Sequence, residues 1–153
     1  STTFSPDMKL TRGMLVTILH NMEGKPIATN INNFPDVQDS KIYYYKAINW
    51  AVENKIISGY DTGKFGPDDL ITREQLAVIL WKYSKYKGKN VNVETDYSKF
   101  PDKNQISNFA QKGMNWAVGT GVITGSQGKL LPLGNATRAE AASMIYKYCT
   151  KVK

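Results

Sequence analysis

The chain has 153 residues, with 20 Lys+Arg against 13 Asp+Glu for a formal net charge of +7. A chain of this length buries roughly two-thirds of the surface its unfolded form exposes, and nine Tyr and three Trp supply large side chains for a core, which excludes a disordered chain. No apolar run approaches the roughly 20 residues of a membrane-spanning helix, and a single cysteine and a single histidine exclude an internal disulfide, a multi-thiolate metal site and a site built on paired imidazoles.

Residues 1–30 read as the second half of a helix-loop-helix unit. Phe4-Ser5-Pro6-Asp7 leads to Leu10-Thr11-Arg12-Gly13, and the helix that follows carries Leu15, Ile18, Leu19 and Met22 at the three-and-four spacing of a buried face. His20 lies in this run with no Gly-rich elbow nearby, so it reads as structural rather than catalytic. The polar segment Glu23 to Asn30 is a connector.

Residues 31–96 form a complete unit. It opens with Phe34-Pro35-Asp36, and Ser40 to Lys55 predicts a helix that buries Tyr44, Ala47, Ile48, Ala51 and Val52, with Trp50 also in the core. Glycines and a proline from Gly59 to Pro67 predict a turn-rich loop holding at most a two-residue strand pair. A second helix opens at Thr72, with Gln75 placed to complete a capping box, and buries Leu76, Ile79, Leu80 and Tyr83. Ser84 to Asp96 is again a polar connector.

Residues 97–153 repeat the pattern. Phe100-Pro101-Asp102, Asn115-Trp116-Ala117-Val118 and Ile123-Thr124-Gly125 all stand 66 positions after their counterparts Phe34-Pro35-Asp36, Asn49-Trp50-Ala51-Val52 and Ile57-Ser58-Gly59. Such a constant offset marks an internal repeat. Thr137 and Glu140 repeat the capping box, whereas Thr11 is followed by Met14 and lacks it. Ala141, Met144, Ile145 and Tyr148 form the apolar stripe of the last helix, and Cys149 beside it reads as a small buried hydrophobe or an idle thiol. The fold class is therefore all-α: two complete helix-loop-helix repeats and half of another, with short β-like loop segments.

Phe34-Pro35-Asp36-Val37, the run Ala47 to Tyr60, Phe65-Gly66-Pro67-Asp68 and Ile71-Thr72-Arg73-Glu74-Gln75-Leu76-Ala77 closely resemble the S-layer homology (SLH) motif in its Firmicutes form. The resemblance covers nearly all of the chain in order. It implies a pseudo-threefold, all-helical arrangement and a non-catalytic module at one end of a secreted protein, here the C-terminal end. Its partner would be an anionic, often pyruvylated, secondary cell wall polysaccharide attached to peptidoglycan, outside the cell, in the wall or S-layer of a Gram-positive-type bacterium. No cofactor, nucleic acid or membrane insertion is implied.

The family's Thr-Arg-Ala-Glu motif maps onto Thr137-Arg138-Ala139-Glu140, onto Thr72-Arg73-Glu74-Gln75, and in its first two positions onto Thr11-Arg12. The resemblance puts these arginines in the grooves between motifs, facing the anionic sugar. The physics agrees, because guanidinium presents a planar fork of donors to a carboxylate, and the first turn of a helix adds free amides and the positive dipole end. Bracing of the arginines by Asp36 or Asp102 of a neighbouring repeat is the structural alternative. Gly59 and Gly125 correspond to the family glycine before the loop, either as a point of ligand approach or as a turn that needs positive φ. Tyr60 is placed to stack on a sugar ring, and Tyr43 and Phe109 replace the usual early Trp. Arg73 and Arg138 are expected to serve the better grooves, since the first repeat lacks its box and its first helix. A segment from elsewhere, or from a second chain, would fill that gap and allow self-association.

Other classes fit less well. A glycan hydrolase needs two unlike carboxylates at a fixed separation, yet Asp36 and Asp102 occupy equivalent positions of separate repeats. Nucleic-acid binding is suggested by the charge alone, but the lysines are scattered among connectors and helix ends. Asp61, Asp68 and Asp69 lack the alternating oxygen ligands of a calcium loop.

Overall fold

The computed structural model describes residues 7–153; the Phe4-Ser5-Pro6 part of the first landmark lies outside them. Among the described residues there are five α-helices: α1 (Arg12–Met22), α2 (Tyr45–Glu53), α3 (Arg73–Tyr86), α4 (Gln111–Thr120) and α5 (Arg138–Lys151). Two short 3-10 turns, Lys103–Gln105 and Asn108–Ala110, lead into α4. The described residues hold no strand; isolated bridges such as Ser126↔Lys129 are the β-like segments expected in the loops.

The helix starts follow the caps. Thr72 and Thr137 each accept from the amide three residues on, and Gln75 and Glu140 return the bond to the cap amide, completing both boxes. Thr11 accepts from the Met14 amide without the reciprocal bond. The helix expected over residues 40–55 is confined to α2. Asp39 accepts from the Lys41 amide and the Asp39 carbonyl from the Ile42 amide, so residues 40–44 turn instead of winding. At the other end Lys55 adopts φ 61°, which stops the helix.

Two compact units result, Leu10–Leu70 and Ile71–Lys153, the latter with the described residues before Leu10. They are out of step with the sequence repeats because the second helix of one repeat packs on the first helix of the next: α1 on α2, and α3 on α4. In the first unit Leu15, Val16, Leu19, Ala47, Ile48, Trp50, Ala51 and Phe65 are buried. His20 is structural, its Nε2 2.8 Å from the Pro26 carbonyl and its ring 5.3 Å from that of Trp50. In the second unit Leu76, Ala77, Leu80, Tyr83, Met114, Trp116, Met144 and Tyr148 are buried, and the Tyr148 ring stands 5.7 Å from Tyr83 and 6.0 Å from Trp116. Met22, expected in the core, is exposed because it lies at the solvent edge of its helix's last turn. Of the two readings of Cys149, burial is excluded, since the residue is exposed.

Candidate functional site

Each Thr-Arg step is fastened by the same backbone bond. The Arg12 amide donates to the Asp69 carbonyl at 2.9 Å, Arg73 to Gly134 at 2.9 Å and Arg138 to Met8 at 2.8 Å. The acceptor is always the residue four positions before an arginine of another repeat. The arginines therefore share a backbone setting, but their side chains do not share an environment.

In the first unit, Arg12 is 6% exposed. Its Nε donates to the Phe65 carbonyl at 3.0 Å and its Nη2 to the Ser58 carbonyl at 2.7 Å. The guanidinium carbon lies 4.6 Å from the Tyr60 ring centre and 4.7 Å from that of Phe65. Burial pulls the guanidinium below its ordinary range, against the opposing pull of Tyr60, Asp69 and Asp36. Tyr60 spends a ring face on Arg12 and its hydroxyl on Asp69 Oδ2 at 2.7 Å. Arg12 thus acts as a pin that holds the loop from Ser58 to Phe65.

In the second unit, Arg73 opens into a groove of about 330 Å³. Arg73 comes from the second repeat; Thr124, Gly125 and Ser126 come from the loop of the third, and Glu140, Ser143 and Lys147 from α5. Arg73 pairs with Glu140, its Nε at 2.9 Å from Oε2, and its Nη1 lies 3.5 Å from the Leu131 carbonyl. Burial alone would push the Glu140 carboxyl up, but the Thr137 amide and Arg73 outweigh it and hold it low. Lys147 Nζ donates to Thr124 Oγ1 at 3.2 Å. The groove therefore holds two cations against one carboxylate that is already committed.

Arg138 is half-buried, and its Nε is screened from solvent without a hydrogen-bond partner among the described residues. Thr72 and Thr137 spend their hydroxyls on capping.

Asp36 and Asp102 are loop staples. Asp36 accepts from the Phe65 and Gly66 amides at 2.9 and 2.8 Å, and Asp102 from Leu130 and Leu131 at 3.0 and 2.8 Å. Burial opposes their ionisation, yet these amides, with Lys64 and Lys129 nearby, keep both carboxyls below the usual range. Where an Asp36 or Asp102 brace was the alternative for the arginines, the ion pair observed among the described residues is Arg73–Glu140.

The paired glycines differ. Gly125 has φ 90° and lines the groove, while Gly59 carries no positive φ and instead lets the Phe34 ring pack where a Cβ would stand. Tyr43 and Phe109 are both exposed. The sequence reading missed Ser143 and Lys147, although with Glu140 they stand at i, i+3 and i+7 and so make a polar stripe along one face of α5.

The S-layer homology domain profile matches residues 33–77 and 99–142. The chain is 30% identical to an endoglucanase of Bacillus sp. (strain KSM-635) over 153 residues, covering 99% of this chain and 16% of the relative. It is 32% identical to the surface-layer 125 kDa protein of Lysinibacillus sphaericus over 124 residues, 81% of this chain and 10% of that protein. It is 31% identical to the S-layer protein sap of Bacillus anthracis over 145 residues, 94% of this chain and 17% of that protein. The chain thus spans less than a fifth of the length of the curated relatives it matches. Two matched repeats in register with the helices, the capping boxes and the loop staples carry one conclusion: the chain belongs to the S-layer homology domain family.

Proposed function

We propose that the chain is a non-catalytic anchoring module of a cell-surface protein in a Gram-positive bacterium. It binds an anionic secondary cell wall polysaccharide attached to peptidoglycan and so holds an attached effector domain at the wall. The relatives support the location, since they include two surface-layer proteins and an enzyme matched over only a sixth of its length.

The observation that carries the reading is the groove that Arg73 and Lys147 line together with Gly125 and Ser126. A sugar carboxylate, such as that of a pyruvate ketal, competes with Glu140 for the Arg73 fork and accepts from Lys147. Gly125, at φ 90°, supplies the left-handed turn that sets the loop lining this groove. Arg138, half-buried at the equivalent helix start, is the second anion contact. Asp102, Thr72 and Thr137 serve the groove by holding its loop and helix starts, and Arg12, Asp36, Gly59 and Tyr60 hold the corresponding loop of the Leu10–Leu70 unit.

The test is binding of isolated wall polysaccharide before and after mild acid removal of ketal-linked pyruvate, with Arg73→Gln and Arg138→Gln alongside. Weaker binding by Arg73→Gln and to the treated polymer is expected. Unchanged binding in both arginine variants would sink the assignment.

Self-association is the second reading, favoured by one face of α5. Ala142, Ser143, Tyr146 and Cys149 are exposed, whereas the equivalent Ala77, Val78 and Ser84 of α3 are buried. Pairing of the α5 faces of two copies would appear as concentration-dependent dimers in sedimentation without any wall material; a monomer throughout would end this reading.

A further inference from the structure

A second cavity, of about 350 Å³, lies in the Ile71–Lys153 unit and shares no lining residue with the arginine groove. Trp81 and Lys85 of α3, Lys112 and Asn115 of α4, and residues 91–94 of the connector line it. Its chemistry is a surplus of donors. Lys85 Nζ stands 3.5 Å from the Trp81 ring centre, and Trp81 Nε1 is screened from solvent with no hydrogen-bond partner among the described residues. A buried donor left in that state is costly. Asn115 spends its Oδ1 on the Thr95 amide, which leaves its NH2 group. Glu94, the one acid among the lining residues, forms no ion pair with Lys85 or Lys112. Burial lowers the Lys85 ammonium from its ordinary range, and repulsion from Lys82 and Lys112 adds to the effect.

The same ingredients recur in the other unit. Lys46 and Asn49 of α2, each 66 positions before Lys112 and Asn115, line a cavity with His20, which holds the helix position of Trp81, and with Lys25 and Tyr43. The lysine, the asparagine and a ring system therefore belong to the repeat, and they stand between the second helix of one repeat and the first helix of the next.

We propose that the Trp81–Lys85–Lys112 cavity binds an anionic sugar residue, one bearing a carboxylate or a phosphate, as a second contact for the wall polymer. The proposal rests on the anchoring reading above. An anion seated near the two ammoniums offsets their mutual repulsion, and the Asn115 NH2 group stands beside them as a further donor. Two contacts on one polymer chain also raise its apparent affinity, since the second engagement is intramolecular.

The test follows the indole N–H resonances of the intact chain, assigned with Trp81→Phe, during titration with glucuronic acid, glucose 6-phosphate and neutral glucose. Trp81 is expected to shift saturably with a charged sugar and not with glucose, while Trp50 and Trp116 stay still as internal controls. The charged sugar that acts distinguishes carboxylate from phosphate. Lys85→Gln/Lys112→Gln, both exposed positions, should abolish the shift and weaken wall-polymer binding about tenfold, with the fold intact by circular dichroism. Arg73→Gln should leave the Trp81 shift in place. A Trp81 resonance indifferent to both charged sugars, or full polymer affinity in the double lysine variant, overturns the proposal. Wild-type chain that binds no polymer while Trp81 still titrates contradicts the anchoring reading and leaves the cavity standing.

Discussion

Asp102→Ala tests whether the groove depends on its loop staple. The carboxylate is 8% exposed and accepts from the amides of Leu130 and Leu131, 28 and 29 residues away. Alanine leaves both donors unpaired. A hydrogen bond to a charged acceptor contributes about 1.5–3 kcal/mol, and a buried donor without a partner loses its hydration as well. Leu130 is buried and its amide cannot recover, whereas Leu131 is half-exposed and its amide can bind water. The sum is therefore about 2–3 kcal/mol rather than double the upper figure. For a domain of this size that lowers Tm by about 5–10 °C. Urea unfolding followed by tryptophan fluorescence reads the loss as a lower midpoint, with Asp61→Ala, an exposed loop acid, as a control expected within about 0.5 kcal/mol of wild type. Because Leu131 offers its carbonyl to Arg73 and Gly125 lines the groove, the variant should also bind wall polymer more weakly under folding conditions. A midpoint within experimental error of the control would refute the staple.

Further outcomes follow from the same geometry. Glu140→Gln keeps a cap acceptor but removes the charge that competes for Arg73, so calorimetry should show tighter binding of the anionic polymer, by about three- to tenfold, with stability changed by less than about 1 kcal/mol. Asp36, Asp102 and Glu140 titrate below their ordinary values in the folded chain. Their contribution is complete above the unfolded values and lost as pH falls through the folded ones, so the urea midpoint should be level from pH 7 to about 5 and drop below about pH 4. Thr72→Ala or Thr137→Ala should each cost about 1 kcal/mol by loss of a cap, and Thr11→Ala, at a start with no reciprocal bond, less, as measured by thermal melts.

Local features were readable in the sequence. The capping boxes, the stripe from Leu76 to Tyr83 and the core positions of Trp50 and Trp116 depend on neighbours three or four residues away, and periodicity reports such spacing. The repeat also singled out Arg73, through its counterpart Arg138, and Gly125, through its counterpart Gly59, and the groove brings Arg73 and Gly125 together. Long-range partners were not readable. Glu140 lies 67 residues from Arg73, and the amides held by Asp36 lie 29 and 30 residues on. Nothing in the local pattern distinguishes a carboxylate that meets a ligand from one that meets a loop. The equivalence of Arg12, Arg73 and Arg138 in sequence likewise concealed their different fates, because what surrounds each is set by another repeat: Tyr60 and Phe65 of a loop around Arg12, and Glu140 at the start of α5 beside Arg73. Apolar spacing also overestimated burial at Met22, since periodicity names a helix face but not where the neighbouring helix stops covering it.

Wall anchoring is tested most directly by sedimenting the chain with purified wall sacculi, before and after chemical removal of their secondary polysaccharide. The account predicts that the chain pellets with native sacculi and stays in solution with the stripped peptidoglycan. Equal sedimentation with both would contradict it.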